Sequence, residues 1–433
     1  MAARPPSKYR VEKVHVSGFW GDHTIDLRLD RSVTFLIGQN GSGKTTFINL
    51  LAAALTADFP TLDRIAFKDL TITLSADASG TKPEIRIKKK LEKKRSYDSI
   101  SYDIGPNADG NISSFSLEEV EEQRFIRNVE YHLTKADLRR RLYPRLAATL
   151  REMLNVNWLS VHRGAMPERR YEDRHAESPV DVKIETISTE IAKYFSALTN
   201  AKEAESRAFQ ESLFSTLFEV GYSPFQIPES EEMHESALVL RRILQEMRVD
   251  ETKSSELVSK FEEKVAELRE HMALETRPQD YVPELTLFYI LERMPKIFEY
   301  WQQYQNNLSD IFSVRHGFEN IMNSMLRNKN MRVTDNNELS FVTRSNKILT
   351  PQMLSSGEKQ LLIFLSEAML QRRETSIFIA DEPEISLHVS WQERLISSLQ
   401  TLNPAAQIVV ATHSPDIVGH LGEKAIDMET VVG

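Results

Sequence analysis

Cysteine is absent from all 433 residues. Its absence excludes disulfides, thiolate metal sites and cysteine nucleophiles, and it fits a reducing compartment. Long apolar runs are missing as well: no stretch reaches the roughly 18 apolar residues that a membrane-spanning helix needs. The opening Met1-Ala2-Ala3-Arg4-Pro5-Pro6 lacks the apolar core of a signal peptide, so the expectation is a cytoplasmic protein with no membrane partner. A positive charge balance is lacking too. The formal net charge of -9 argues against a chain coated by nucleic acid, although local basic patches can still bind phosphate. No internal repeat or low-complexity tract stands out.

What remains is an ordinary globular composition, 41% hydrophobic and 27% charged, long enough for two or three domains. Strand signals run through 11–16, 24–29 and 33–37, and the last leads directly into a glycine loop. Phe47, Ile48, Leu50, Leu51 and Leu55 then follow at helical spacing. Further strands are predicted at 70–74, 84–91 and 99–104, as an antiparallel lobe. From 184 to 325 the pattern turns to long amphipathic helices, with Ile187, Ile191, Tyr194, Phe195 and Leu198 on one face and Pro224, Pro228, Pro278 and Pro283 at the joints. The stripe Leu257, Phe261, Val265, Leu268, Met272 is nearly heptad-like but covers about two heptads, which suits a helix packed in a bundle. After Met331 comes a hairpin through Asn336-Asn337, then a helix at 357–373, a strand at 376–380, a helix at 389–399 and a strand at 407–411. Such alternation predicts a parallel sheet covered by helices. The expected division is an N-terminal lobe at 1–183, a helical insertion at 184–325 and a C-terminal lobe at 326–433.

Four short motifs carry the chemistry. Gly38-Gln39-Asn40-Gly41-Ser42-Gly43-Lys44-Thr45 matches G-x-x-x-x-G-K-[ST], between an apolar strand and a helix as that motif requires. Its glycines let backbone N–H groups curl around a phosphate, Lys44 reaches the outer phosphate oxygens, and Thr45 can ligate Mg²⁺. Gly38, Asn40, Gly41, Ser42, Gly43, Lys44, Thr45 and Thr46 are the candidate nucleotide contacts; a glycine turn that happens to end in Lys-Thr is the bland alternative. Ile377-Phe378-Ile379-Ala380-Asp381-Glu382-Pro383 is an apolar strand ending in two acids. Asp381 can hold Mg²⁺ and Glu382 can polarise an attacking water, unless the pair merely caps the next helix. Leu354-Ser355-Ser356-Gly357-Glu358-Lys359-Gln360 places Ser355 and Gly357 at a helix start, which favours an anion but also describes any N-capped helix. His413, in Thr412-His413-Ser414-Pro415, follows another apolar strand.

In this order the four motifs resemble the ABC ATPase superfamily, which implies an α/β P-loop NTPase domain with an antiparallel β lobe. It also implies ATP and Mg²⁺ as cofactors, with Glu382 and His413 catalytic. ATP would lie between two protomers, so that Ser355 and Gly357 act on a neighbour's nucleotide and the protein is at least a dimer. Lys44 and Ser355 are 311 residues apart, and a large helical, short coiled-coil-like insertion at that place is the plan of the SMC, RecF and OLD-type ATPases. Asp381-Glu382-Pro383-Glu384-Ile385-Ser386-Leu387-His388 resembles the Walker B and D-loop of OLD-like ATPases, which would bring Glu384 and His388 towards the dimer interface.

Only 20 residues follow His413, which leaves no room for a Toprim domain, so a nuclease is expected on a separate chain. Stand-alone anti-phage defence ATPases have this pattern, most similarly those of PARIS systems and less so those of Septu. The resemblance implies an oligomeric ATPase scaffold that holds a Toprim-type effector nuclease and responds to a phage trigger protein. The alternative is a RecF- or SMC-like ATPase of DNA repair, with the basic run Lys82 to Arg95, including Lys88, Lys89, Lys90, Lys93, Lys94 and Arg95, contacting phosphates. A solvated edge hairpin would use the same lysines. The cluster Arg139, Arg140, Arg141 and Arg145 is open to both readings, Trp20 is a candidate for stacking on adenine or for packing, and Arg163 is a candidate near the nucleotide.

Overall fold

A computed structural model of the chain describes residues 9–76, 82–91, 98–106, 111–116, 135–160, 178–218, 230–273 and 285–432. The chain divides into two compact units, Met1–Tyr194 with Val314–Gly433, and Phe195–Ser313. The division falls within two long helices, so the first turns of one and the last turns of the other belong with the nucleotide motifs rather than with the insertion. It is narrower than the 184–325 segment expected from sequence.

The first unit opens with β1 (Arg10–Phe19), β2 (His23–Arg28) and β3 (Val33–Ile37), then α1 (Lys44–Thr56) and α2 (Phe59–Arg64). β4 (Asp69–Ser75), β5 (Glu84–Leu91), β6 (Asp98–Gly105) and β7 (Ser113–Ser116) follow, then α3 (Lys135–Met153) and β8 (Val156–Ser160). Strands β2-β1-β4-β5-β6-β7 form an antiparallel sheet in that order among the described residues. Alternation in β4, where Leu70, Ile72 and Leu74 are buried and the residues between them are not, gives the sheet one face for the core.

Four helices come next: α4 (Pro179–Phe218), α5 (Ser230–Glu246), α6 (Glu251–Ala273) and α7 (Leu285–Met325). In the second unit, α4 and α7 touch through Glu205 with Asn307, Phe209 with Tyr304 and Trp301, and Thr216 with Arg293. As the number rises on α4 it falls on α7, so the two run antiparallel. Phe209, Ile243, Trp301 and Tyr304 form this unit's small core, with Phe209 stacked on Tyr304 at 5.1 Å. The four joint prolines lie outside the described residues, whereas Pro295 sits inside α7.

The chain returns with β9 (Lys329–Val333), β10 (Leu339–Thr343) and β11 (Ile348–Leu349), a small antiparallel sheet whose first hairpin turns through Asn337 at φ 62°. Then come α8 (Ser356–Leu370), β12 (Ser376–Asp381), α9 (Val389–Leu402), β13 (Ala406–Ala411), α10 (Pro415–Val418), β14 (Ala425–Asp427) and α11 (Met428–Val431). The order β14-β3-β13-β12-β8 makes a sheet whose pairs are all parallel. Its central strands are continuous apolar runs; every residue of β13 is buried.

Helix α1 explains how the two sheets share a core. Phe47, Ile48, Leu50, Leu51, Ala52, Ala53, Ala54 and Leu55 are all buried, so the helix is apolar around nearly its whole circumference rather than along one stripe. They join one cluster with Val14, Val16 and Ile72 of the antiparallel sheet and with Ile377, Ile379 and Val409 of the parallel one. Gln407 adds a polar clasp: fully buried, it accepts from the Val11 N–H at 2.9 Å and donates to the carbonyls of Val11 and Asp30 at 2.7 and 2.9 Å. The helix that follows the glycine loop is therefore packed by both sheets. Among the described residues no helix is long and apolar enough to cross a membrane.

Candidate functional site

The phosphate-type loop lies at the C-terminal end of β3. Gly38, Gly41 and Gly43 have φ of 136°, 87° and 92°, a region that residues with a Cβ enter only under strain. At Gly38 a Cβ would also lie 2.9 Å from Ser42 Oγ, and at Gly43 it would meet Trp20 at 3.1 Å. Lys44, only 4% exposed, donates to the carbonyls of Gly38 and Gln39, both at 2.8 Å, and to Ser42 Oγ at 3.3 Å. Burial pushes its pKa down, while Glu382, Asp381, Glu429 and Asp427 pull the other way. The ammonium is thus folded into the loop whose glycines it follows, amid four carboxylates.

β12 brings the acids to the same place. Thr45 Oγ1 donates to Asp381 Oδ1 at 3.1 Å, across 336 residues of sequence. A hydroxyl and a carboxylate at this spacing are hard oxygen donors of the kind Mg²⁺ takes alongside waters and phosphate oxygens. Glu382 leaves the strand at φ 48°, its N–H held by the Ala411 carbonyl at 2.8 Å. This left-handed backbone costs about 1–3 kcal/mol for a residue with a side chain, and such strain often collects where a side chain must be aimed. Its Oε1 stands 4.0 Å from His413 Nε2, and both side chains are about one-third exposed.

Glu384 does something that its sequence context did not suggest. Its Oε1 accepts the backbone N–H of His413 at 2.7 Å, so within this chain it holds the histidine loop, and its Oε2 is buried with no hydrogen-bond partner. Gln392 makes a second strap. It donates to the Leu387 carbonyl at 2.9 Å and accepts from Ser414 Oγ at 2.7 Å, and Ser414 in turn caps α10. His388 caps α9, its Nδ1 accepting from the Ser390 N–H. Neither Glu384 nor Gln392 was legible as a positioning group, because each reaches a group more than twenty residues away, the His413 N–H for Glu384 and the Ser414 hydroxyl for Gln392.

The signature segment is built differently. Ser355 is the N-cap of α8, and its N–H and Oγ donate to Glu358 Oε2 at 2.9 and 2.7 Å. Lys329 grips the same carboxylate at 2.8 and 2.7 Å. Burial opposes ionisation of Glu358, but Lys329 and Ser355 overcome it and hold its pKa below the usual value. Gln360 is buried and donates to the Pro383 carbonyl at 3.1 Å, tying the helix to the acid-bearing loop. Gly357 is covered by Ser386, whose carbonyl oxygen would sit 2.3 Å from an added Cβ. Ser355 and Ser356 remain exposed. The same helix is ion-paired to the first turn of α4, through Lys359 with Asp181 at 2.6 Å and Glu367 with Lys183.

Other sequence candidates fare unevenly. Trp20 packs on Phe19 at 4.9 Å and leans on the Gly43 backbone, with 43% of its surface exposed, so it borders the loop from a packed position. Lys89 is not a free cation: its Nζ donates to the carbonyls of Leu62, Asp63 and Ile65 at the end of α2. Lys82 pairs with Glu12 and Arg86 with Glu84, which leaves Lys88 and Lys90 exposed from the described part of that basic run. Lys93, Lys94, Arg95 and Arg163 lie outside the described residues, as do the side chains of Arg139, Arg140 and Arg141, while Arg145 is exposed.

Residues 33–419, from β3 to the residue after α10, match the family described as "AAA domain, putative AbiEii toxin, Type IV TA system". The chain belongs to this family. The glycine loop, the acidic end of β12, the signature segment and His413 all lie within the matched residues. A stretch of 90 residues is 31% identical to the "Retron Ec83 probable ATPase" of Escherichia coli, covering 18% of this chain and 16% of that protein. Among solved structures, the Smc head domain with an extended coiled coil bound to the C-terminal domain of ScpA, derived from Pyrococcus furiosus, aligns over 95% of this chain and 91% of that chain, at 14% identity and TM-score 0.38. The Smc head domain with a coiled coil and joint from Pyrococcus yayanosii aligns over 95% and 93%, at 12% identity and TM-score 0.36.

Proposed function

We propose that the protein binds and hydrolyses MgATP, and that the nucleotide cycle controls a separate effector in an anti-phage defence system. The observation that carries the enzymatic part is the meeting of Thr45 with Asp381 at 3.1 Å, beside Glu382 and His413, at the C-terminal end of the parallel sheet. Ligands of α/β sheets bind at such strand ends. The loop N–H groups from Asn40 to Thr46 would cradle the phosphates, with Lys44 moving from its own carbonyls to phosphate oxygens. Thr45 and Asp381 would hold Mg²⁺, which neutralises charge on the phosphates. Glu382 would orient the attacking water and take its proton, and His413 would contact the terminal phosphate.

Each chain would supply the signature to its neighbour's nucleotide through Ser355 and the helix start at Gly357. Exposed Ile348, Met353 and Val389 support this reading, since they give the region of β11, the signature and the start of α9 apolar surface suited to a second copy. The finer proposal is a PARIS-type system with a Toprim nuclease as effector. Family membership in a toxin–antitoxin group and the short likeness to a retron ATPase support a defence setting. The test is phage challenge of cells carrying this gene with and without the neighbouring gene. Protection that needs both genes and is lost in Lys44→Ala supports the proposal; protection that persists in Lys44→Ala overturns it.

A further inference from the structure

The run from Ala425 to Val431 belongs to none of the four motifs, yet it reaches the phosphate loop. β14 pairs with β3 so that Asp427 stands opposite Ile37, the residue before Gly38. Met428 is fully buried in the main core, which anchors the run. Asp427 then caps α11 by accepting the Glu429 N–H at 3.0 Å. That geometry lays the Glu429 carboxylate on the loop: its Oε1 accepts the Gln39 N–H at 2.7 Å. Asp427 Oδ1 is close as well, 3.1 Å from the position a Cβ on Gly38 would take. Both acids also lie within electrostatic reach of Lys44.

N–H groups of a glycine-rich loop are anion donors. Here one of them is taken by an anion of the protein itself, and that anion stays beside any polyphosphate held by the same loop. We propose that Glu429 is an affinity-setting residue of the nucleotide site: its carboxylate fixes the entry of the loop at Gln39 and opposes the charge of bound nucleotide, which weakens retention of the diphosphate product. The inference rests on the reading of the site as nucleotide-binding. Glu429 is exposed, so water and salt screen the effect and keep it modest.

Glu429→Gln separates charge from position, because the amide oxygen can still accept from Gln39. The full chain, its Glu429→Gln variant and Lys44→Ala are titrated with fluorescent MgADP, and release is followed by stopped flow. At about 0.05 M salt the Glu429→Gln variant is expected to bind roughly two- to fivefold tighter and to release more slowly, with the difference shrinking towards about 0.5 M. Unchanged or weaker binding by Glu429→Gln, while Lys44→Ala fails to bind, overturns the inference alone. Undiminished binding by Lys44→Ala overturns the nucleotide reading beneath it.

Discussion

At the phosphate loop, Lys44 turns its ammonium onto two carbonyls of its own loop; at the signature helix, Glu358 is gripped from outside by Lys329 and capped by Ser355. The first arrangement is satisfied within the loop itself, and a ligand would compete for it. The second leaves its charges paired whether or not a ligand arrives, with Ser355 still at the surface. Backbone strain divides the same way, since Glu382 carries a left-handed φ of 48° whereas Ser355 is extended at φ -64° and ψ 162°. On the proposed function, the half-site that would take up nucleotide is the adjustable one, and the half-site that would be offered to a neighbour is preorganised.

Breaking the adjustable half has the largest expected effect. Lys44→Ala removes the only side-chain cation of the loop, and nucleotide binding should fall below detection in an equilibrium titration. Glu382→Gln keeps the loop and the Thr45–Asp381 pair, so it should bind MgATP normally while turnover drops about 10²- to 10⁴-fold, the usual worth of a general base. Normal turnover in that variant would refute the role assigned to Glu382.

Breaking the preorganised half should show first as lost stability. Lys329→Met leaves the nearly buried Glu358 with one partner fewer, and stranding a buried charge costs about 3–5 kcal/mol, less here because Lys329 is itself one-fifth exposed. Denaturant unfolding measures the loss. Gly357→Ala drives a Cβ into the Ser386 carbonyl, and overpacking of this kind costs about 1–3 kcal/mol, with ATPase activity falling while nucleotide binding at the loop is retained. The smallest effect is a pH dependence. Since the folded pKa of Glu358 is lowered, its contribution to stability is present above the ordinary carboxylate range and is lost as pH falls through the folded value. Lys329→Met should flatten that acid limb; an unchanged limb would show that other carboxylates produce it.

The phosphate loop, the two acids, the signature and His413 were legible because each combines a short run of unusual residues with a flanking strand or helix. The alternation of strands and helices also announced the parallel sheet. What could not be read were contacts made by unremarkable residues across hundreds of positions. Glu429 meets Gln39 over 390 residues, and Lys359 meets Asp181 over 178. The basic run shows the converse: Lys89, open in the sequence between a phosphate contact and an edge-strand lysine, is held by three carbonyls at the end of α2. Glu384, which the resemblance places towards an interface, also accepts the His413 N–H within its own chain, a contact that the sequence did not announce.

The central claim, that one chain carries two halves of different sites, has a direct test by mixing. Lys44→Ala lacks an active loop but keeps its signature, and Ser355→Arg keeps its loop but loses its signature. Each alone should be inactive as an ATPase. Mixed in equal amounts, they should regain activity, because a mixed dimer holds one intact composite site. No recovery on mixing, with mixed dimers shown to form, would contradict the account.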